Sequence, residues 1–287
     1  MAIKKVSREE AIASNIKMEE ERQRKINLPK IKIPKDTYAI IKNQVIDNFH
    51  LKLNKFAKFN HEKGYKLQNQ KINENFFHKN WNFHKSNIDK YYENIQNLSL
   101  KFSNKIELKT YYRLIIGAEQ SIYETSILLH HVYGIPFITS TAIKGVVRSY
   151  IIAEKFENKE DKALKDENFK NVFGSQEQEG KIIFFDAFPI SKPKIKVDIM
   201  TPHYGDYYKD KDNKKKIAPT DNQDPNPIPF LTVEETEFKF FIASKESLES
   251  FKIKDKSIEE WFKKALQNHG IGGKSAVGYG YLEEIKE

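Results

Sequence analysis

The chain has 287 residues, a formal net charge of +9 and no cysteine. Its length allows a sizeable buried core in one large domain or two smaller ones, and the lack of cysteine excludes disulfides, thiolate metal sites and a cysteine nucleophile. The N-terminus is charged and lacks the apolar stretch of a signal peptide, and no later run could cross a bilayer, so we expect a cytoplasmic protein.

The positive charge is concentrated in the N-terminal third. Residues 1–105 carry 22 Lys and Arg against 11 Asp and Glu, whereas the rest of the chain carries 27 against 29. A basic block attracts polyanions in a salt-dependent way, so nucleic acid is the leading class of partner. A second explanation, that Lys and Asn are abundant throughout the chain, stays open on charge alone.

Apolar residues in this basic third recur at helical spacing. Two stretches show the pattern: Ile41, Val45, Phe49, Leu53 and Phe56 in the first, and Ile88, Tyr91, Ile95, Leu98 and Phe102 in the second. We therefore predict a helical, basic N-terminal region over residues 1–105. Residues 61–82 show little periodicity, which indicates a loop or an arm that only a partner orders.

After residue 105 the apolar period changes to two. Alternation over residues 106–116 predicts one extended strand, residues 238–242 predict another, and the apolar run at 181–186 predicts a short buried strand. Two helices are predicted among these strands, one at about 141–156 and one that begins at Ser257, where Ser257 and Glu260 fit a capping box. The second helix is expected to stop before Gly270.

Strands interleaved with two helices predict an α+β, ferredoxin-like sandwich over residues 106–287. Residues 191–230 are rich in Pro, Lys, Asp and Tyr, which indicates an insertion rather than part of the sheet. The insertion joins lysines, which can follow a phosphate backbone, to aromatic rings, which can stack on unpaired bases. The candidate contacts there are His203, Tyr204, Tyr207 and Tyr208. A surface loop whose tyrosines pack locally is the alternative.

The C-terminal sequence GIGGKSAVGYG, residues 270–280, predicts an anion-binding loop. Its glycines permit positive φ and close backbone approach, and a lysine lies in the middle. The Walker pattern fails at Asn268 and the dinucleotide fingerprint fails at Ser275, because neither residue is the glycine required. The candidate RNA contacts are Gly270, Gly272, Gly273, Lys274 and Ser275. A glycine-rich turn without a ligand is the alternative.

Two further candidate cations lie on the first predicted helix. Lys144 and Arg148 are at i, i+4 and so share one face near the helix N-terminus, where the dipole and free N–H groups favour phosphate. Gly145 beside them leaves room for a backbone. An ordinary solvated face would show the same pair.

Five sequence blocks carry a family resemblance. They are residues 124–148 (ETSILLHHVYGIPFITSTAIKGVVR), 173–188 (FGS followed by GKIIFFDAF), 198–208 (DIMTPHYGDYY), 227–233 (PIPFLTV) and the glycine loop. Together they resemble the RAMP superfamily of CRISPR proteins over residues 106–283, and most closely the sixth subunits of type III-B, or Cmr, effector complexes. The family pattern Pro-Gly-Ser-Ser is replaced here by Thr139-Ser140-Thr141-Ala142.

The resemblance implies a ferredoxin-like (RRM-like) RAMP core with an inserted thumb. It also implies a non-catalytic RNA-binding subunit in antiviral defence, which holds the 3′ part of the guide RNA and the target RNA at one end of a backbone filament. The expected partners are the CRISPR guide RNA, single-stranded target RNA and neighbouring RAMP subunits. No cofactor, metal ion or membrane is expected.

The histidines and carboxylates give no converging catalytic set. His130 and His131 are adjacent, so on a regular strand or helix they point different ways, and we expect a structural or RNA-contacting role for His131. Three aspartates lie in separate segments and do not predict a two-metal nuclease: Asp186, Asp198 and Asp206. Two alternatives stay open, a metal-independent endoribonuclease that processes guide precursors with His131 or His203 as general base, and a protein-binding end cap.

Overall fold

A computed structural model of the chain describes residues 46–55, 82–117, 127–201 and 227–285, with a few short or isolated positions elsewhere. The chain divides into two compact units, one of residues 1–44 and 55–68, the other of residues 45–54 and 69–287. In the first unit the described strands are β1 (Phe59–Asn60) and β2 (Lys66–Leu67), which pair antiparallel. The fold and the candidate site below belong to the second unit. The predicted boundary at residue 105 falls inside this unit and stays a prediction.

The second unit mixes helices and antiparallel strands. Its described helices are α1 (Phe49–Asn54), α2 (Lys85–Gln96), α3 (Ser140–Lys155), α4 (Glu160–Ala163), α5 (Glu167–Phe173) and α6 (Ile258–Asn268). Its described strands are β3 (Lys101–Phe102), β4 (Ile106–Thr110), β5 (Arg113–Leu114), β6 (Ile183–Phe184), β7 (Phe188–Pro189), β8 (Lys194–Met200), β9 (Ile228–Glu234), β10 (Glu237–Phe240), β11 (Ile242–Ser244), β12 (Lys252–Ile253), β13 (Lys256–Ser257) and β14 (Leu282–Glu284). Short 3₁₀ turns lie at Leu248–Ser250 and Ser275–Val277.

The central sheet has four antiparallel strands in the order β14-β4-β10-β7. Alternate residues of β4 and β10 are buried, including Leu108 and Phe238, which lie opposite each other in the register. The period-two pattern is thus confirmed for residues 106–110 and 238–240, because one set of alternating side chains lies in the core. The prediction is wrong for Ile242, which belongs to β11. A second sheet has the order β3-β11-β6.

The helices α3 and α6 pack against each other. The ring of Tyr150 meets the ring of Trp261 edge-on, and its hydroxyl accepts a hydrogen bond from Asn268 Nδ2 at 3.0 Å. The capping box of α6 is confirmed, since Ser257 Oγ accepts from the Glu260 N–H and the Glu260 carboxylate accepts from the Ser257 N–H. Both helices agree with their predicted bounds to within two residues.

The third sheet has the order β5-β9-β8, and β8 and β9 pair over seven residues from Lys194↔Glu234 to Met200↔Ile228. The prediction that residues 191–230 lie outside the sheet holds for the central sheet as far as the structure describes these residues. It is wrong for residues 194–200 and 228–230, which are strands of this third sheet. We refer to β8 and β9 together as the hairpin strands.

The single strand predicted over residues 106–116 is wrong. The chain bends at Tyr111 and Tyr112, so β5 leaves the central sheet and pairs with β9 instead. Tyr112 continues the alternation in the sequence, but its side chain is exposed and does not belong to the core of the central sheet. The sequence pattern could not locate the change of sheet, because a tyrosine is compatible with either setting.

The N-terminal helical patterns hold in part. In α1 the side chains of Phe49 and Leu53 are buried as expected, and Ile41, Val45 and Phe56 lie outside the described residues. The second pattern ends early, because α2 stops at Gln96 and Leu98 is 48% exposed. Phe102 belongs to β3, which pairs with β11. The 61–82 stretch falls largely outside the described residues.

Candidate nucleic-acid interface

The glycine loop, residues 270–280, connects α6 to β14 and is closed by a hydrogen bond from the Ile271 N–H to the Gly280 carbonyl at 2.8 Å. Gly272 has a φ of 93°, and a Cβ there would overlap the carbonyl oxygen of Ile115. The next amide, that of Gly273, donates to the same carbonyl at 2.9 Å. The Gly280 N–H donates to the Arg113 carbonyl at 2.7 Å. Glycine is therefore required where the loop lies directly on the 113–115 backbone.

Lys274 lies at the exposed turn of this loop, in the left-handed conformation with a φ of 59°. Its Nζ is 3.0 Å from Met200 Sδ and 5.6 Å from the centre of the Phe230 ring. Met200 and Phe230 belong to the hairpin strands. The structure thus brings together two features that the sequence presents separately, the glycine loop and the start of the insertion.

A network of four side chains joins the loop to the third sheet. Arg113 Nη1 donates to Asp198 Oδ2 at 2.5 Å, and its Nε donates to Glu234 Oε2 at 3.2 Å. The Tyr279 hydroxyl donates to the same Asp198 oxygen at 2.7 Å. We call these four residues the clamp. Its charged members are mostly buried, with exposed side-chain fractions of 14–22%, so the ion pairs are less screened than surface pairs.

The clamp sets the protonation states of its members. Burial alone would raise the pKa of Asp198, but hydrogen bonds from Tyr279, from the Ile199 N–H and from Arg113 outweigh it and lower that pKa. Burial, followed by the hydrogen bond to Asp198, raises the pKa of Tyr279 to about 12. At neutral pH the carboxylate is therefore an anion that accepts from a neutral hydroxyl and a cationic guanidinium.

Sequence reasoning missed the clamp. It treated Asp198 as an isolated carboxylate and did not single out Arg113, Glu234 or Tyr279. One signal was available, because Asp198 interrupts an otherwise apolar stretch of β8 with a charge that needs a partner. The identity of the partner could not be inferred, since Arg113 is 85 positions away in the sequence.

The start of α3 and the glycine loop line one cavity of about 580 Å³. Thr139, Thr141 and Ala142 contribute from the helix, and Gly272 contributes from the loop. Two of the first amides of α3 already have acceptors, because Asp186 Oδ1 accepts from Ser140 at 2.6 Å and Thr139 Oγ1 accepts from Ala142 at 3.3 Å. The motifs are therefore adjacent, although part of the helix N-terminus is satisfied by the protein itself.

Lys144 and Arg148 are not equivalent. Arg148 Nη2 donates to Glu160 Oε1 at 2.5 Å, and its guanidinium lies over the Phe169 ring at 5.4 Å. Lys144 is half-buried and makes no hydrogen bond or ion pair with a residue that the structure describes. Of the two cations, Lys144 has the charge that remains available to a ligand.

His131 is exposed, and its ring stacks on that of His130 with centroids 5.0 Å apart and an angle of 22° between the planes. The expectation that the two rings point different ways is wrong, because residues 131–133 form a turn rather than a strand or helix. Burial, and then the charge of His131, lowers the pKa of His130. The carbonyl of His131 accepts from Asn48 Nδ2 at 2.9 Å, which ties this turn to the start of α1.

The remaining candidates follow β8 in the sequence. Tyr204 and Tyr207 are described and both have contacts, whereas His203, Tyr208 and Asp206 lie outside the described residues. Within the described ranges, no three His, Cys, Asp or Glu side chains come together as a metal site. None of the helices in those ranges has the length and apolar composition of a membrane span.

Residues 105–283 match the family model of the RAMP superfamily. The chain belongs to the RAMP superfamily. It is 32% identical over 233 residues to the CRISPR system Cmr subunit Cmr6 of Pyrococcus furiosus, an alignment that covers 62% of this chain and 67% of that protein. It is 31% identical over 219 residues to the Cmr6 subunit of Saccharolobus solfataricus, with 72% and 68% covered.

A solved structure gives a further likeness. The chain matches a chain of the cryo-EM structure of type III-B Cmr-β bound to cognate target RNA with a TM-score of 0.55 and 25% sequence identity. The match covers 74% of this chain and 69% of the other. The similarity to the two Cmr6 subunits confirms the resemblance of the sequence to sixth subunits of Cmr complexes.

Proposed function

We propose that this RAMP protein is a non-catalytic RNA-binding subunit of a type III-B CRISPR effector complex in antiviral defence. It holds the 3′ part of the guide RNA and the target RNA at one end of the backbone filament, beside neighbouring RAMP subunits in the cytoplasm. The observation that carries the proposal is the similarity to two Cmr6 subunits over about two thirds of their length. The geometry of the glycine loop supports it.

A ferredoxin-like core with an inserted thumb is part of the proposal. In a βαββαβ unit of that fold, the fourth, first, third and second strands lie side by side and antiparallel. The order β14-β4-β10-β7, with α3 after β4 and α6 after β10, agrees with this arrangement. The hairpin strands lead into and out of residues 201–227, so they form the base of the proposed thumb.

Phosphate contacts account for most of the proposed binding. The glycine loop presents an exposed backbone with Lys274 at its turn, and Lys144 on α3 adds a second available cation. Contacts of this kind fix the position of a strand without reading its sequence, which suits a protein that must hold guides of any sequence. We propose that Gly270, Gly272, Gly273 and Ser275 act through their backbone and that Arg148 contributes indirectly, through the packing of α3.

The non-catalytic assignment rests on the surroundings of the candidate bases. A metal-independent nuclease needs a general base and a cation that converge on one phosphate. His131 lies in the turn at residues 131–133. Its ring stacks on that of His130, and its carbonyl accepts a hydrogen bond from Asn48. Among the described residues no lysine contacts His131, and His203 lies outside them. We therefore propose an RNA-contacting or structural role for His131.

Binding and cleavage can be tested together. The purified chain is titrated with labelled single-stranded RNA at several salt concentrations, and the same RNA is analysed for new ends. We expect the logarithm of RNA affinity to fall linearly with the logarithm of the salt concentration, and we expect the RNA to stay intact. Fragments with 2′,3′-cyclic phosphate ends, lost in His131→Ala or His203→Ala, would instead support the endoribonuclease. Absence of RNA retention, with association to neighbouring subunits intact, would support the end cap.

A further inference from the structure

The bend between β4 and β5 exposes two neighbouring tyrosines that differ in their surroundings. Tyr111 is 70% exposed and Tyr112 is 50% exposed. The guanidinium carbon of Arg113 lies 5.2 Å from the centre of the Tyr112 ring, and the Tyr279 ring lies 5.8 Å away at 52°. No ring or cation contact of Tyr111 with a described residue is present. Tyr112 is therefore an exposed ring with fixed neighbours, and Tyr111 is a matched ring without them.

The neighbours of Tyr112 are fixed by one carboxylate. Arg113 and Tyr279 both donate to Asp198 Oδ2, at 2.5 and 2.7 Å. Because both groups are attached to the same part-buried anion, the surface against which the Tyr112 ring rests changes little. A ring that is ordered before binding loses less conformational entropy when it stacks on a ligand.

A row of aromatic rings leads from Tyr112 to the cation of the glycine loop. The Tyr279 ring lies 6.1 Å from the Phe230 ring, and Lys274 Nζ lies 5.6 Å from that second ring. The row thus presents an exposed aromatic face at one end and an exposed ammonium at the other. A nucleotide has the matching pair of features, a flat base and an anionic phosphate.

We propose that Tyr112 is a stacking surface for one unpaired nucleobase of a single-stranded RNA whose phosphates lie at the glycine loop. The proposal rests on the proposed function, and it adds a base contact to a site otherwise assigned to phosphates. Stacking of this kind tolerates every base, because every base has a π face, and it is stronger for purines with their larger surface. The exposed ammonium of Lys274 at the other end of the row favours an RNA ligand over a basic peptide.

The test uses the full chain and two probes, a single-stranded RNA and an abasic ribose–phosphate oligomer of the same length. Tyr112→Ala is expected to weaken binding of the RNA by about tenfold, within the range measured for removal of one stacking ring. Binding of the abasic oligomer is expected to stay unchanged. Tyr112→Trp should retain RNA affinity, and Tyr111→Ala, the matched control, should leave both affinities unchanged.

Two results would overturn the inference. One is unchanged RNA affinity in Tyr112→Ala, including the case in which only association with a neighbouring subunit is lost. The other is an equal loss for the abasic oligomer, which would mean that Tyr112 shapes the loop rather than contacts a base. Should Tyr112→Ala unfold, Tyr112→Leu keeps apolar bulk without a ring and serves in its place. Failure of the proposed function is distinguishable, because the wild-type chain would then bind neither probe.

Discussion

The Tyr279 hydroxyl donates to Asp198 Oδ2 at 2.7 Å and so joins the C-terminal glycine loop to strand β8 across 81 positions of sequence. Lys274, five residues before Tyr279, lies against Met200 and Phe230 of the same hairpin strands. The loop and the base of the insertion are therefore attached at two points. A displacement of one should displace the other, so the proposed RNA contacts of the loop and of the hairpin strands should change together.

Lys274→Ala should reduce affinity for single-stranded RNA and make the remaining binding less sensitive to salt. Each phosphate contact on a single strand contributes about 0.7 to the slope of log affinity against log salt, so loss of one contact should reduce the slope by roughly that amount. The measurement is a salt titration by fluorescence anisotropy. Lys252→Ala, which removes an exposed lysine of β12, is the control. An unchanged slope in Lys274→Ala would contradict a phosphate contact.

Gly272→Ala should destabilise the glycine loop more than Gly278→Ala does. Both glycines have left-handed φ angles, of 93° and 96°, so alanine costs about 1 kcal/mol of strain at either position. Only at Gly272 would the new Cβ also overlap the Ile115 carbonyl, whereas nothing lies within 4 Å of it at Gly278. The difference between the two free energies of unfolding, measured with urea, isolates the close approach of the two backbones.

RNA binding should follow the same order. Gly272→Ala is expected to lose most of its RNA affinity, because the loop must move off the 113–115 backbone, while Gly278→Ala keeps it. Equal stability and equal affinity in the two variants would show that the contact of the loop with Ile115 has no functional consequence.

The sequence patterns correctly predicted the features that depend on residues close together in the sequence. The capping box of Ser257 and Glu260 and the alternation over residues 106–110 depend on neighbours in sequence, and both are confirmed. The bend at Tyr112 and the clamp depend on residues more than 80 positions apart, which periodicity cannot pair. Helical periodicity also could not pair Arg148 with Glu160, because Glu160 lies beyond the end of the helix. The sequence therefore assigned Arg148 to phosphate without this partner.

Lys144→Ala and Arg148→Ala should have different effects. Lys144 has an available charge, so its loss should weaken RNA binding similarly for all sequences and reduce the salt slope. Arg148 is paired with Glu160 and covers Phe169, so its loss should mainly lower stability, by about 1 kcal/mol or less because the Glu160 side chain is 60% exposed. Parallel RNA binding and thermal unfolding measurements separate the two. A loss of RNA binding in Arg148→Ala as large as that in Lys144→Ala would instead show that both cations contact phosphate.

Replacing His203, Tyr204 and Tyr208 by alanine should reduce target RNA binding more than assembly of the complex. These residues follow β8 in the sequence and belong to the proposed thumb, whose rings can stack on unpaired bases. The core that we propose contacts neighbouring subunits is unchanged. Target affinity and complex yield are measured on the same preparation. The control is Lys211→Ala, another substitution within the insertion. Loss of assembly in the triple variant would place these side chains in a subunit interface.

Asp198→Asn should reduce the dependence of stability on acid pH. The pKa of Asp198 in the folded chain lies below its ordinary value of 3.8, because hydrogen bonds from Tyr279, Ile199 and Arg113 outweigh its burial. A carboxylate with a lowered folded pKa stabilises the fold above its unfolded pKa, and this contribution is lost as the pH falls through the folded pKa. Urea unfolding at pH 7 should therefore show a stability gap between the wild-type chain and Asp198→Asn. The gap should stay constant down to about pH 5 and narrow below about pH 4.

Tyr279→Phe tests which partner lowers this pKa. The variant keeps the ring that contacts Tyr112 and Phe230 and removes only the hydroxyl that donates to Asp198. The pKa of Asp198, followed by the carboxyl carbon shift in NMR, should rise toward its ordinary value while Arg113 keeps it partly lowered. RNA affinity should fall, because the loop that carries Lys274 loses one of its two attachments to the hairpin strands. An unchanged pKa would mean that Arg113 and the Ile199 N–H are sufficient to lower the pKa of Asp198. The loop would then depend on the backbone contacts to residues 113–115 for its position.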